Sequence, residues 1–204
     1  MIAIIDYGVG NLFSLSSSLS YLGLENTITR SAAEIKAADR IILPGVGAFG
    51  DAMKKLQATG LVDTIKEQVA GGKPMLGICL GMQLLFDKSY EYGEHQGLGL
   101  IHGEVCDLND DLTTGLKVPE MGWNSLKIKK DHPILKYVKD GDYVYYVHSY
   151  YAKHCEDSLV AVSEYEVEVP GVVASGSVVG TQFHPEKSGA VGLSMLKAFS
   201  EMQG

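Results

Sequence analysis

Short apolar runs that close on glycine-rich turns constrain this chain most. Ile2–Ile5, Arg40–Leu43 and Pro74–Ile78 are four or five residues each and mostly aliphatic. They lead into Asp6-Tyr7-Gly8, Pro44-Gly45-Val46-Gly47 and Cys79-Leu80-Gly81. Runs this short, without polar alternation, suit strands buried on both faces, as in a parallel sheet. Between them the period changes. Leu12, Leu15, Leu19 and Leu22 follow helical spacing, with Asn11 as a candidate N-cap and Gly23 as a stop. Ser31-x-x-Glu34 is a capping box before a short helix. Amphipathic helices are expected at about 49–58 and 61–69, and another from Leu80 to Phe86. Thr27–Thr29 is a weaker strand candidate. Alternating strand and helix implies an α/β sheet covered by helices.

After about Gly97 the alternation stops. Strands are expected at Val118, Leu126–Ile128, Tyr143–Tyr151, Leu159–Val162, Val172–Ala174 and Val178–Phe183, with few helices between. This half reads as antiparallel, with its last strand returning to the main sheet. A helix from Ser188 to Met202 closes the chain, with Val191, Met195 and Phe199 on one face. At 204 residues, with no linker or repeat, one domain spanning 1–204 is expected.

Composition excludes several classes. The net charge is 17 − 25 = −8 with no basic stripe, so nucleic acid is not an expected partner. Three scattered cysteines give no disulfide framework and suit a reducing compartment. His102 with Cys106, and His154 with Cys155, lack the tight clustering of a metal site, and no metal or cofactor is expected. An acid at position 6 argues against a secretion signal, and no apolar run approaches 18 residues, so no membrane span is expected. A cytoplasmic chain is the resulting expectation. The 24 glycines exceed the usual share and point to tight turns or close backbone approach to a ligand.

The sharpest chemical signal is Gly77-Ile78-Cys79-Leu80-Gly81-Met82-Gln83. A nucleophile between two glycines, at a strand-to-helix turn, is a nucleophile elbow. The glycines are expected to permit the sharp turn and keep side chains away from the sulfur. The helix N-terminus favours thiolate, and the Leu80 N–H can donate to an oxyanion. The other reading is a buried structural cysteine; the flanking strand and helix favour the elbow. Gln182-Phe183-His184-Pro185-Glu186 ends the last expected strand. Residues two apart share a direction in extended chain, so Glu186 can orient His184 as a base. By itself that segment also fits a solvated loop histidine. His148, within Tyr145-Tyr146-Val147-His148-Ser149-Tyr150, is the next histidine of interest. Pro44–Gly47 can offer backbone N–H groups beyond a strand end, but it lacks the lysine of a phosphate loop.

Cys79 within G-I-C-L-G-M-Q, with His184-Pro185-Glu186 about a hundred residues later, resembles the class I, triad-type glutamine amidotransferases. Asp6–Leu12, Pro44–Phe49, Pro119–Asn124, Tyr146–Tyr150 and Glu186–Gly189 resemble the glutaminase subunits of imidazole glycerol phosphate synthases within that family. Glu120 departs from the pattern, where a neutral polar residue or histidine is expected. The resemblance implies a flavodoxin-like amidotransferase fold: a mostly parallel central sheet flanked by helices, with additional antiparallel strands in the C-terminal half.

The resemblance also implies a reaction. L-glutamine is hydrolysed to glutamate and ammonia by Cys79 with His184 and Glu186. The Leu80 and Val46 N–H groups form the oxyanion hole. Gly45, Gly47, Gln83, His148, Ser149 and Tyr150 hold the substrate. Gly45 and Gly47 leave the Val46 peptide free to rotate, which would allow a switchable oxyanion hole. The implied partner is a cyclase subunit, a (β/α)8 barrel, bound as a heterodimer through Asn11, Trp123 and Lys187. That partner uses the ammonia to make imidazole glycerol phosphate and aminoimidazole carboxamide ribotide in histidine biosynthesis. Two alternatives are a glutaminase of another synthase or a stand-alone γ-glutamyl cysteine hydrolase. A third is a flavodoxin-like binding module with an inert Cys79.

Overall fold

A computed structural model describes residues 1–203. The chain runs β1 (Ile2–Ile5), α1 (Leu12–Tyr21), β2 (Asn26–Thr29), α2 (Ala32–Ala37), β3 (Arg40–Leu43), α3 (Phe49–Ala58), α4 (Val62–Ala70), β4 (Met75–Ile78) and α5 (Leu80–Gln83). Then come β5 (Lys88–Ser89), β6 (His95–Gln96), β7 (Glu104–Asp107), β8 (Glu120–Ser125), β9 (Lys127–Ile128), β10 (Tyr143–His148) and β11 (Tyr150–Lys153). The last elements are β12 (Leu159–Tyr165), β13 (Val167–Ser175), β14 (Val178–Thr181) and α6 (Gly189–Glu201).

Eight strands form the main sheet in the order β2-β1-β3-β4-β14-β13-β12-β9. The pairings from β2 to β14 are parallel, and those from β14 to β9 are antiparallel. The late strand β14 thus returns to the main sheet beside β4, as the sequence reading expects. The short runs are buried on both faces. Ile2 and Ile4 pack on one side with Leu15, Leu19, Met195 and Phe199, and Ala3 and Ile5 on the other with Phe49, Leu56 and Ile65. Pairing by backbone and burial by both rows of side chains explains the lack of alternation in these runs.

Two smaller pieces complete the fold: a β10-β8 ribbon and a four-stranded sheet ordered β11-β7-β5-β6. Sequence reading misses β5, β6, β7 and β8, places a strand at Val118 where the chain is irregular, and runs Tyr143–Tyr151 through a break at Ser149. The helix after the elbow is four residues long rather than reaching Phe86. The hydrogen bonds at its end show the change. Leu85 and Phe86 donate to the carbonyls three residues back, Met82 and Gln83, so the last turn tightens, and the free carbonyls of Leu84, Leu85 and Phe86 accept from Leu98, Leu100, Ile101 and Gly99. Asn11 sits at the N-cap of α1 but its side chain makes no capping bond. Ser31 does cap α2, accepting from the Glu34 N–H.

Ligands of parallel α/β sheets bind beyond the carboxyl ends of the strands. Here β1, β3, β4 and β14 deliver 6–11, 44–47, Cys79 and 182–186 to that same edge.

Candidate active site

Cys79 follows β4 and adopts φ +53°, ψ −112°, a backbone conformation rare outside glycine. Its N–H donates to the Thr181 carbonyl at 2.7 Å, which fixes the elbow against β14. The flanking glycines serve a different end from the expected one. Neither makes the turn; Cys79 does. A Cβ on Gly81 would lie 1.8 Å from the Leu43 carbonyl oxygen, and one on Gly77 would lie 2.7 Å from the Gly81 carbonyl oxygen. Backbone rests on backbone where α5 meets β3 and β4. Leu80 opens α5, so its N–H has no acceptor within the helix.

His184 follows β14. Its Nδ1 donates to Glu186 Oε1 at 2.9 Å, and both side chains are almost wholly buried. His184 Nε2 and Glu186 Oε2 have no hydrogen-bond partner. With Nδ1 committed to the carboxylate, Nε2 is the nitrogen left to exchange a proton. Burial disfavours a charged ring, but the Cys79 sulfur and the Glu186 carboxylate outweigh it and push His184 up to about 9. The other cysteines differ. Burial pushes Cys155 up to about 12 and raises Cys106, as befits unreactive thiols.

Cys79 and His184 open into a pocket of about 300 Å³, the small end of ligand sites and suited to an amino acid. Val46, Gly47 and Leu80 line one side, and Gln83, Glu91, His148, Ser149 and Tyr150 supply polar groups. The structure therefore brings the sequence-derived nucleophile, base and pocket residues together. Gly45 lies just behind this wall. A Cβ there would meet the Tyr7 hydroxyl at 2.7 Å and the Gly81 nitrogen at 2.8 Å.

The family model for glutamine amidotransferase class-I matches residues 3–201. This chain belongs to that family. It is 54% identical over 202 residues to the imidazole glycerol phosphate synthase subunit HisH of Listeria monocytogenes, covering 99% of this chain and 96% of the relative. The HisH of Caldanaerobacter subterraneus is also 54% identical, over 203 residues, covering 99% and 98%. Among solved structures, one glutamine amidotransferase superposes with a TM-score of 0.75 at 19% identity, covering 98% of this chain and all of that one. PurLQS from Thermotoga maritima gives 0.73 at 19%, covering 98% and 96%. These two structural likenesses speak for the amidotransferase fold.

Sequence reasoning passes over three buried polar residues of this amidotransferase. Glu91 lines the pocket and accepts from the Phe49 N–H at 2.6 Å, and burial raises its pKa. It stands in a stretch with no motif. Glu120 is signalled only by its departure from the family pattern. It sits 2.9 Å from His148 Nε2, while His148 Nδ1 sits 2.9 Å from the Tyr150 carbonyl oxygen. His148 is therefore engaged at both nitrogens and is not a second base for Cys79. Gln182 precedes the His184 motif and is fully buried.

The expected docking residues lie around the His184–Glu186 end of the site. Asn11 lines a small space behind His184 and Glu186 with Pro44, Gly45 and Val46. Trp123 is 56% exposed, not a core aromatic, and meets Tyr145 edge-on at 6.0 Å. Lys187 is exposed beside Glu186. No helix among the described residues is long and apolar enough to cross a membrane.

Proposed function

We propose that this chain is the glutaminase subunit of an imidazole glycerol phosphate synthase, acting through Cys79, His184 and Glu186. The observation that carries this reading is a buried imidazole–carboxylate pair beside a strained cysteine, in a pocket sized for one amino acid.

The chemistry follows from the placement. The Cys79 sulfur, with the proton held on His184 Nε2, attacks the side-chain carbonyl carbon of glutamine. The Leu80 and Val46 N–H groups receive the developing oxyanion; losing one such donor costs about 10²–10³ in rate. His184 then protonates the departing nitrogen, ammonia leaves, and a glutamyl thioester remains on Cys79. Water, deprotonated by His184, releases glutamate and leaves the proton on the ring beside the freed Cys79 sulfur. Glu186 keeps the ring oriented and offsets its charge. The Glu91 carboxylate suits the α-ammonium of the substrate. The backbone of His148-Ser149-Tyr150, with Gly45, Gly47 and Gln83, frames the rest of the substrate.

Ammonia at neutral pH is mostly protonated and no nucleophile in water, so a partner must receive it directly. That partner is a cyclase subunit, in line with the subunit name of the relatives. The outer face of the β8–β10 ribbon exposes Met121, Trp123 and Tyr143, and Asn11 and Lys187 flank the catalytic pair. Aromatic anchors of this kind fit a docking surface. The chain acts as one domain over 1–204, and its three free cysteines suit the cytoplasm.

The deciding experiment measures glutamate release from glutamine by this chain, alone and with the cyclase subunit and a cyclase-site ligand. Negligible release alone, a large rise in the complex and loss in Cys79→Ala are expected. Strong release that ignores the cyclase would overturn the subunit reading and point to an autonomous γ-glutamyl hydrolase.

A further inference from the structure

We propose that Gln182 is a further catalytic residue of this site, holding an amide N–H against the Cys79 sulfur as it becomes a thiolate. The proposal rests on the reading of Cys79 as the nucleophile.

Gln182 has no solvent exposure, so protein groups alone orient its amide. The oxygen and nitrogen ends of a glutamine amide are nearly the same size, and the partners decide which faces where. The decision begins at the Tyr150 carbonyl oxygen, which can only accept. Gln83 places its amide 2.9 Å from that oxygen, so the end facing it is Nε2. The same nitrogen lies 3.0 Å from Gln182, and an N–H needs an acceptor there, so Gln182 turns Oε1 toward Gln83. Its Nε2 is then left facing Cys79 Sγ, at 3.8 Å.

The Tyr150 oxygen is itself held from a second side. His148 Nδ1 sits 2.9 Å away, and the buried Glu120 carboxylate braces the far ring nitrogen at 2.9 Å. A single run of hydrogen bonds thus passes from β8 through β10, β11 and α5 to the sulfur. No rotation of the Gln182 amide leaves this run satisfied.

A second contact of the sulfur shows why a donor matters. The Val147 carbonyl oxygen lies 3.9 Å from Sγ. A neutral thiol can donate to that oxygen and accept from Gln182. A thiolate can only accept, so the Val147 contact becomes repulsive. The Gln182 N–H then works with the His184 imidazolium to hold the anion. Hydrogen bonds to charged groups are among the stronger ones in proteins, equivalent to about tenfold to a hundredfold in rate.

Two variants separate this role from packing. Gln182→Met removes the donor with little change in volume. Gln182→Glu keeps an acceptor for Gln83 but turns a carboxylate oxygen toward the sulfur. Both are compared with wild type in the full complex with the cyclase subunit. Glutamine turnover, thermal unfolding and iodoacetamide alkylation of Cys79, followed by mass spectrometry, are measured on each. The expected result is a kcat about tenfold lower in Gln182→Met and about a hundredfold lower in Gln182→Glu, with KM within about threefold. Alkylation slows in the same order. Two folded variants with kcat and alkylation within threefold of wild type would overturn the proposal. Equal losses in both, matched by a rise in KM, would also overturn it, because that pattern is a packing effect. A wild-type complex that hydrolyses no glutamine would sink the glutaminase reading, and the alkylation order would still decide Gln182. If Gln182→Met does not fold, Gln182→Glu decides alone, since it preserves the Gln83 bond.

Discussion

His184 carries a positive charge in a place that water barely reaches, and this links the active site to stability. Its pKa is about 9 in the folded chain, against an ordinary value of 6.5. A group raised on folding stabilises fully below its unfolded pKa, and the contribution is lost as pH rises through the folded value. Stability from the Cys79–His184–Glu186 cluster is therefore complete below about pH 6.5 and gone above about pH 9, a change of at most about 3 kcal/mol. Urea unfolding at pH 6 and pH 9.5 measures it, and Glu186→Gln should flatten the difference. A wild-type chain equally stable at both pH values would contradict the charged ring. At this scale the sequence reveals residues whose partners are near in the chain. Cys79 announces itself by its glycines, and His184 by Glu186 two positions on. Gln182 and Glu91 are silent, and Glu120 shows only as a departure from the family pattern, because their partners, Cys79, Phe49 and His148, come from other elements.

Elements that bury two faces, such as β1, β3 and β4, are legible because both rows of side chains are apolar. Two-residue strands without an apolar side chain, such as β5 (Lys88–Ser89) and β6 (His95–Gln96), leave no such trace. The break at Ser149 is hidden for a related reason. Strand-favouring residues run on across it, from Tyr143–Val147 to Tyr150 and Tyr151, although the two strands pair with different neighbours, β8 and β7. The junction of β3, β4 and α5 shows how closely elements here approach. Gly81→Ala would place a methyl against the Leu43 carbonyl with no side chain able to yield. A loss of more than about 3 kcal/mol is expected, at the upper end for overpacking. Gly47→Ala is the contrast. Nothing lies within 4 Å of its added carbon, so only its φ of +94° opposes the change. Its cost should stay at about 1–2 kcal/mol, and parallel urea titrations of the two variants rank them. Gly47→Pro is a poor probe of peptide rotation at Val46, because a proline ring cannot reach that φ.

Over the whole molecule, the polar and apolar faces of the β8–β10 ribbon divide two tasks. The inner face buries Glu120, Val144, Tyr146 and His148; the outer face exposes Met121, Trp123 and Tyr143. Trp123→Ala should leave the urea midpoint of the free chain nearly unchanged, within about 0.5 kcal/mol, as for a surface substitution. It should weaken cyclase binding at least tenfold in a titration, as a central aromatic anchor would. Unchanged affinity would move the docking surface elsewhere. The strand order has one more consequence, for synthesis on the ribosome. β14 is the last strand made, yet it lies between β4 and β13 near the middle of the main sheet. Until it emerges, β4 has an open edge and the Cys79 N–H lacks its Thr181 acceptor. The base arrives on the same late segment. On the proposed mechanism a growing chain therefore carries Cys79 for about a hundred residues of translation without its base, and truncated products are expected to consume no glutamine.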